Sequence, residues 1–104
     1  TKEVPRRVSH PQRKTIGLRV PDHTVLQALL ALHAAPLLAA TLIMPGEDLP
    51  LNDPEEIRER LEHHVGAVID AGACSLEPTT VIDMSGDETQ VLRRGQGDPA
   101  LLGL

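Results

Sequence analysis

No phenylalanine, tyrosine or tryptophan occurs among the 104 residues. Aromatic side chains bury the largest areas of any residue type and dominate most cores. Any core here has to be assembled from Leu, Ile, Val, Ala and Met. The length suits one small domain, yet a domain without one aromatic leads us to expect part of a larger fold.

Local patterns set out the elements. Residues 14–23 read Lys-Thr-Ile-Gly-Leu-Arg-Val-Pro-Asp-His, in which Ile16, Leu18 and Val20 alternate with Thr15, Gly17 and Arg19. A period of two predicts a β-strand over 15–20. Pro21 stops it, because proline donates nothing to a ladder. Asp22 stands at an N-cap position before a helix over about 24–34. Val25, Leu26, Leu29, Leu30 and Leu32 give that helix a broad apolar face, and His33 falls near its C-terminal end. Arg19 lies on the polar face of the strand. It is either a solvated strand residue or a guanidinium that grips a carboxylate or phosphate with two parallel hydrogen bonds.

Beyond Pro36, residues 37–44 are apolar except for Thr41, which predicts a strand buried on both faces. Asp53-Pro54-Glu55-Glu56 is a strong helix start: a capping aspartate, proline in the first turn, and a glutamate three residues after the cap. Ile57, Leu61 and Val65 form the expected apolar stripe, with Glu56 and Arg60 paired across one turn. Residues 67–69 read as a short buried strand. Residues 79–84 and 89–93 read as a hairpin joined by Ser-Gly-Asp-Glu. The expected organisation is a basic irregular arm over 1–14, a folded part over 15–97 and a loose tail over 98–104.

Charge is unevenly spread. Residues 1–14 carry five basic groups and one acidic, a net +4, whereas residues 15–104 carry five basic and fourteen acidic, a net −9. A basic arm on an acidic body is either a nucleic-acid contact or a solvated extension. The run 25–44 is interrupted by Gln27, His33 and Pro36, so no membrane span is expected, and the chain does not open on a charged-then-apolar leader. The single Cys74 fits a reducing, cytoplasmic setting. Phosphate-cradling loops, nucleophile elbows and metal-ligand spacings are absent from the sequence.

Three motifs, in order and spacing, resemble the second half of the YrdC/YciO family: residues 14–23, Glu-Pro-Thr-Thr-Val-Ile-Asp at 77–83 and Val-Leu-Arg-Arg-Gly at 91–95. Asp-Pro-Glu-Glu-Ile-Arg at 53–58 and the opening Thr-Lys-Glu-Val-Pro-Arg-Arg resemble the YciO branch. The resemblance covers nearly the whole chain. It implies an α+β (α/β-like) fold, a twisted mixed sheet with helices packed on it, of which this chain would be the C-terminal part. It also implies a family activity: the best-known members are threonylcarbamoyl-AMP synthases, which join threonine, bicarbonate and ATP, and others are linked to tRNA or double-stranded RNA. By position, Arg19, Thr41 and Thr79 resemble groups at the threonine substrate, and Thr15 and Arg93 resemble groups facing the nucleotide. ATP, with Mg2+, would be a substrate of the complete protein, and no cofactor is expected for this chain alone. Arg6, Arg7, Arg13 and Lys14 are the candidate RNA contacts.

The sequence departs from the family in two places. Where the family carries a Ser-x-Ser-Ala-Asn loop, Ala39 replaces the first serine, Thr41 keeps the second hydroxyl and Ile43 replaces the asparagine. The family's N-terminal half, with its Lys-x-Arg motif, has no counterpart. A missing half or self-association is therefore expected to cover the exposed sheet, and turnover by these residues alone is not expected. Two readings stay open: a YciO-type nucleotide- and RNA-binding protein, or a non-catalytic RNA-binding or protein-interaction module.

Overall fold

The computed structural model describes residues 5–8 and 10–104, with the side chain of Arg7 outside that set. The chain divides into two compact units, Thr1–Thr41 and Leu42–Leu104.

In the first unit a single 3-10 turn, Arg6–Val8, precedes helix α1, Thr24–His33. The cap of α1 is one residue later than the sequence suggests. His23, not Asp22, takes the extended cap conformation, and its Nδ1 accepts from the Leu26 N–H at 3.4 Å. A neutral imidazole offers the same kind of acceptor as a carboxylate oxygen, so His23 satisfies an orphan amide of the first turn. Gln27 Nε2 donates to the Pro21 carbonyl at 2.6 Å, tying the helix to the chain that leads into it. The helix ends at Ala34, which adopts the left-handed conformation with φ 56° while its N–H bonds the Leu30 carbonyl at 2.9 Å. Leu29 and Leu30 are half-buried, and Leu32 is exposed.

The second unit holds helix α2, Pro54–Leu61, with its start as expected: Asp53 caps, and Pro54 opens the helix. The Asp53 carboxylate accepts from Glu55 N–H at 3.0 Å. Glu56, instead of closing a reciprocal box, pairs with Arg60 at 3.6 Å, and Arg60 also meets Glu47 at 2.9 Å. Those carboxylates hold the Arg60 guanidinium above its ordinary pKa, the hydrogen bond with Glu47 being the main cause. Strands β1, Val81–Asp83, and β2, Gln90–Arg93, form the expected antiparallel hairpin. A second 3-10 helix, Pro99–Leu102, is capped by Asp98 and closed by Gly103.

The class is α+β, with two α-helices and a two-stranded antiparallel sheet among the described residues. The other expected strands, at 15–20, 37–44 and 67–69, lie in no ladder among the described residues. The run 37–44, expected to be buried on both faces, instead exposes Leu37, Leu38 and Ile43. An alternating or continuous apolar pattern says which faces a strand would bury, not which strand it pairs with. No apolar aliphatic side chain of the described residues is fully buried.

Candidate functional site

The hairpin is irregular where it matters chemically. Val81 lies opposite Arg93 and Ile82 opposite Val91, which leaves Leu92 as an extra residue on β2. Such a bulge re-aims the side chains beside it. Beyond the bulge, Arg93 Nε donates to the Thr79 carbonyl at 2.9 Å and its Nη2 donates to Thr79 Oγ1 at 3.3 Å. Two bonds fix the plane of the guanidinium. They use two of its five N–H groups and leave three with no acceptor among the described residues. The result is an oriented, exposed cation, suited to a planar or tetrahedral oxyanion.

The ladder ends at Val81, and side chains continue its work. Thr80 Oγ1 accepts from the Gly95 N–H at 2.9 Å and donates to the Gly97 carbonyl at 2.5 Å. The Gln96 N–H donates to the Pro78 carbonyl at 3.0 Å, and its Nε2 donates to the Glu77 carbonyl at 2.5 Å. Residues 77–80 and 93–97 are thereby laced together around the Thr79–Arg93 pair. Gly95 is required by that closeness: a Cβ there would lie 2.7 Å from the Thr79 carbonyl carbon and 2.9 Å from that of Pro78, and would press on the Pro78 oxygen. At the hairpin's other end, Asp83 accepts from Ser85 Oγ at 2.6 Å and from Ser85 N–H at 2.8 Å. These bonds, the hydroxyl first, hold its carboxyl below the usual range.

The first unit brings together a second Arg–Thr pair. Arg19 Nη2 donates to Thr41 Oγ1 at 3.3 Å, across 22 positions in sequence. Both side chains are exposed, and the guanidinium keeps four N–H groups with no acceptor among the described residues. Thr15 is exposed and has no hydrogen bond to Arg19 or Thr41. Of the basic arm, Arg6, Arg13 and Lys14 are exposed, and Arg7's side chain lies outside the described residues.

The sequence singles out Arg19 and Arg93, which the structure places against Thr41 and Thr79, but not Thr80, Gly95 or Gln96. The signals for these were Thr80 within the 77–83 motif and the glycine closing the 91–95 motif. Groups of three His, Cys, Asp or Glu able to hold a metal are absent among the described residues, where Cys74 is exposed and free. Nor is any described helix long and apolar enough to cross a membrane.

Known proteins are similar to this chain in sequence, and a solved structure is similar in fold. The Escherichia coli (strain K12) protein called "Uncharacterized protein YciO" is 48% identical over 98 residues, which are 94% of this chain and 48% of that protein. An uncharacterized protein of Haemophilus influenzae (strain ATCC 51907 / DSM 11121 / KW20 / Rd) is 46% identical over 101 residues, 96% of this chain and 49% of its own length. The crystal structure of E. coli YciO matches with a TM-score of 0.78 at 47% identity, over 95% of this chain and 48% of that one. The chain therefore spans about half the length of the relatives it matches. The model of the Sua5/YciO/YrdC family, described as "Telomere recombination", matches residues 1–95. With nine-tenths of its length inside that match, this chain belongs to the Sua5/YciO/YrdC family.

Proposed function

We propose that this chain contributes the anion-recognising part of a YciO-type domain that binds a nucleotide and structured RNA. The observation that carries the reading is the exposed Arg93 guanidinium, held by two bonds to Thr79 and left with three donors that have no acceptor among the described residues. By the family resemblance, Arg93 and Thr15 are each assigned to the nucleotide, and Arg19, Thr41 and Thr79 are each assigned to threonine. Arg6, Arg7, Arg13 and Lys14 contact tRNA or double-stranded RNA as backbone phosphate neutralisers. The setting is cytoplasmic, in keeping with one exposed, unpaired thiol.

The complete domain would carry out adenylyl transfer. A carboxylate oxygen of N-carboxy-threonine attacks the α-phosphorus of ATP, the bond from that phosphorus to the bridging oxygen breaks, and pyrophosphate departs with the electron pair. The arginines would contribute by positioning the reactants and stabilising charge, with no covalent role. The described residues hold no cluster that fits a metal, so no step is assigned to a protein-bound Mg2+.

A second reading is favoured by one observation. At 39–43 the chain offers Ala39 and an exposed Ile43 where the family carries hydroxyl and amide groups, and unmatched nucleotide polar groups cost about 1–3 kcal/mol each. That favours a non-catalytic RNA-binding or protein-interaction module. ATP-dependent pyrophosphate release, assayed on the complete domain with threonine and bicarbonate, separates the two. Turnover that falls with Arg93→Lys, with the ATP Kd raised about 10- to 100-fold, and with Arg19→Ala, through lost threonine binding, supports the enzyme. Retained RNA binding without turnover supports the module, and unchanged ATP affinity in Arg93→Lys refutes the phosphate role.

A further inference from the structure

The Arg93 guanidinium has one edge occupied and one edge open. Nε donates to the Thr79 carbonyl and Nη2 to Thr79 Oγ1, and these two nitrogens form the side-on fork of the group. Thr79 therefore fills the side-on position. What remains is the end-on fork, one Nη1 N–H beside the second Nη2 N–H, together with a further Nη1 N–H. None of these has an acceptor among the described residues. An oxyanion that meets this exposed arginine with two parallel bonds is left with the end-on approach.

The direction of that edge depends on where Thr79 stands relative to Arg93, and the ladder alone fixes this poorly. Regular pairing stops at Val81 opposite Arg93, and the extra Leu92 breaks the register beside it. Beyond the ladder one main-chain bond crosses, from Gln96 N–H to the Pro78 carbonyl. Side chains supply the other cross-links, and the Thr80 hydroxyl makes two of them. It accepts from the Gly95 N–H and donates to the Gly97 carbonyl. Thr80 adjoins Thr79 in the chain, and Gly95 lies two residues after Arg93. The half-buried Thr80 thus ties the neighbour of the acceptor to the segment that carries the donor, with no bond to Arg93 itself.

We propose that Thr80 is a positioning residue for anion recognition, its hydroxyl fixing Thr79 against Arg93 so that the guanidinium presents its Nη1–Nη2 edge to an oxyanion. The role rests on Arg93 being the phosphate contact of the proposed function, and adds to it a residue and a direction of approach. One atom has to accept and donate at once, which a hydroxyl does and a methyl group of similar size does not.

The test compares Thr80→Val with Thr80→Ser in the complete domain, reading the Arg93 Nε–Hε NMR signal and the ATP Kd. In Thr80→Val, hydrogen exchange at Nε–Hε is expected to speed up at least about tenfold. The ATP Kd is expected to rise about 3- to 10-fold, while the cross-strand contacts between Ile82 and Val91 persist. Thr80→Ser keeps donor and acceptor and is expected to match the parent in both readouts. ATP added to the parent is expected to shift the Nη signals and to leave Nε–Hε protected by Thr79. Unchanged Nε–Hε exchange in Thr80→Val would overturn the proposal, as would a serine variant no better than valine. So would loss of Nε–Hε protection when ATP binds, or a parental ATP Kd in Thr80→Val beside a raised one in Arg93→Lys. Loss of the Ile82–Val91 contacts in Thr80→Val would also overturn it, since the hydroxyl would then hold the whole hairpin and not the guanidinium. The phosphate role fails by a separate sign, an unchanged ATP Kd in Arg93→Lys, and the Nε–Hε signal decides what Thr80 does to the guanidinium in either case.

Discussion

Gly95→Ala is the most informative single change in the second unit. The added methyl carbon would sit 2.7 Å and 2.9 Å from the carbonyl carbons of Thr79 and Pro78, well inside ordinary carbon contact distances. Both obstacles are backbone, so neither can swing aside as a flexible side chain would. The strands must part, at an overpacking cost of about 1–3 kcal/mol. Parting also stretches the bonds from Gly95 N–H to Thr80 Oγ1 and from Gln96 N–H to the Pro78 carbonyl, each contributing about 0.5–1.5 kcal/mol. The combined penalty is about 2–6 kcal/mol. A two-stranded hairpin is only marginally stable, so a penalty of that size empties its closed state. The measurement is cross-strand nuclear Overhauser contacts between Ile82 and Val91 and between Val81 and Arg93, which pair in the hairpin. They are expected in the parent chain and absent in Gly95→Ala. Gly97→Ala serves as the control: its Cβ would meet Thr80 at 3.5–3.6 Å, an ordinary contact, and the cross-strand signals should survive. Full-strength contacts in Gly95→Ala would refute the claim that glycine is required by close approach.

Ala34→Gly is expected to stabilise the C-terminal end of α1 by about 1 kcal/mol, because alanine pays for a left-handed φ of 56° that glycine adopts freely; urea titration followed by circular dichroism reads the gain, and a loss of helix would contradict it. Asp83 makes the hairpin turn acid-sensitive. Its folded pKa lies below the ordinary value of 3.8, so its stabilising contribution is fully present above that value and is lost as pH falls below it, through the depressed folded pKa. Ser85→Ala removes the hydroxyl donor and should raise the Asp83 pKa toward 3.8 in an NMR titration; no upward movement would show that the Ser85 hydroxyl is not its cause.

Helix α2 and the hairpin were legible because their signals are local. Asp53 and Pro54 adjoin the helix they start, and 79–84 and 89–93 are separated only by their own turn. The cap of α1 slipped by one residue because two adjacent side chains, Asp22 and His23, both carry a suitable acceptor, and sequence does not say which reaches the Leu26 amide. The strands expected at 15–20, 37–44 and 67–69 lie in no ladder among the described residues. The alternation of Leu18 and Val20 is a pattern of faces, but a ladder needs a second strand, and the pattern of one segment does not contain its partner. Arg19 and Arg93 were found as arginines, with roles taken from family resemblance. The Thr80–Gly95–Gln96 lacing depends on residues 77–80 and 93–97 coming together over more than a dozen positions, and no spacing rule predicts which glycine the meeting point will need.

The two Arg–Thr pairs carry a consequence for the order of events. Both guanidiniums are exposed, and ion pairs in that setting contribute about 0.2–1 kcal/mol, too little for a useful affinity from one arginine and one oxyanion. The same pair gains several-fold in strength where water is excluded and the effective dielectric constant falls. In the complete domain of the proposed function, further polypeptide around Arg19 would supply such a change. Anion recognition at Arg19 should therefore depend on completion of the domain. The chain alone is expected to bind a carboxylate weakly and with steep salt dependence, and the completed domain to bind it more tightly with a shallower one. Calorimetric titration of threonine at two ionic strengths, on the chain and on the complete domain, tests this. Equal affinity and equal salt dependence in the two would show that Arg19 recognises its anion without the rest of the domain.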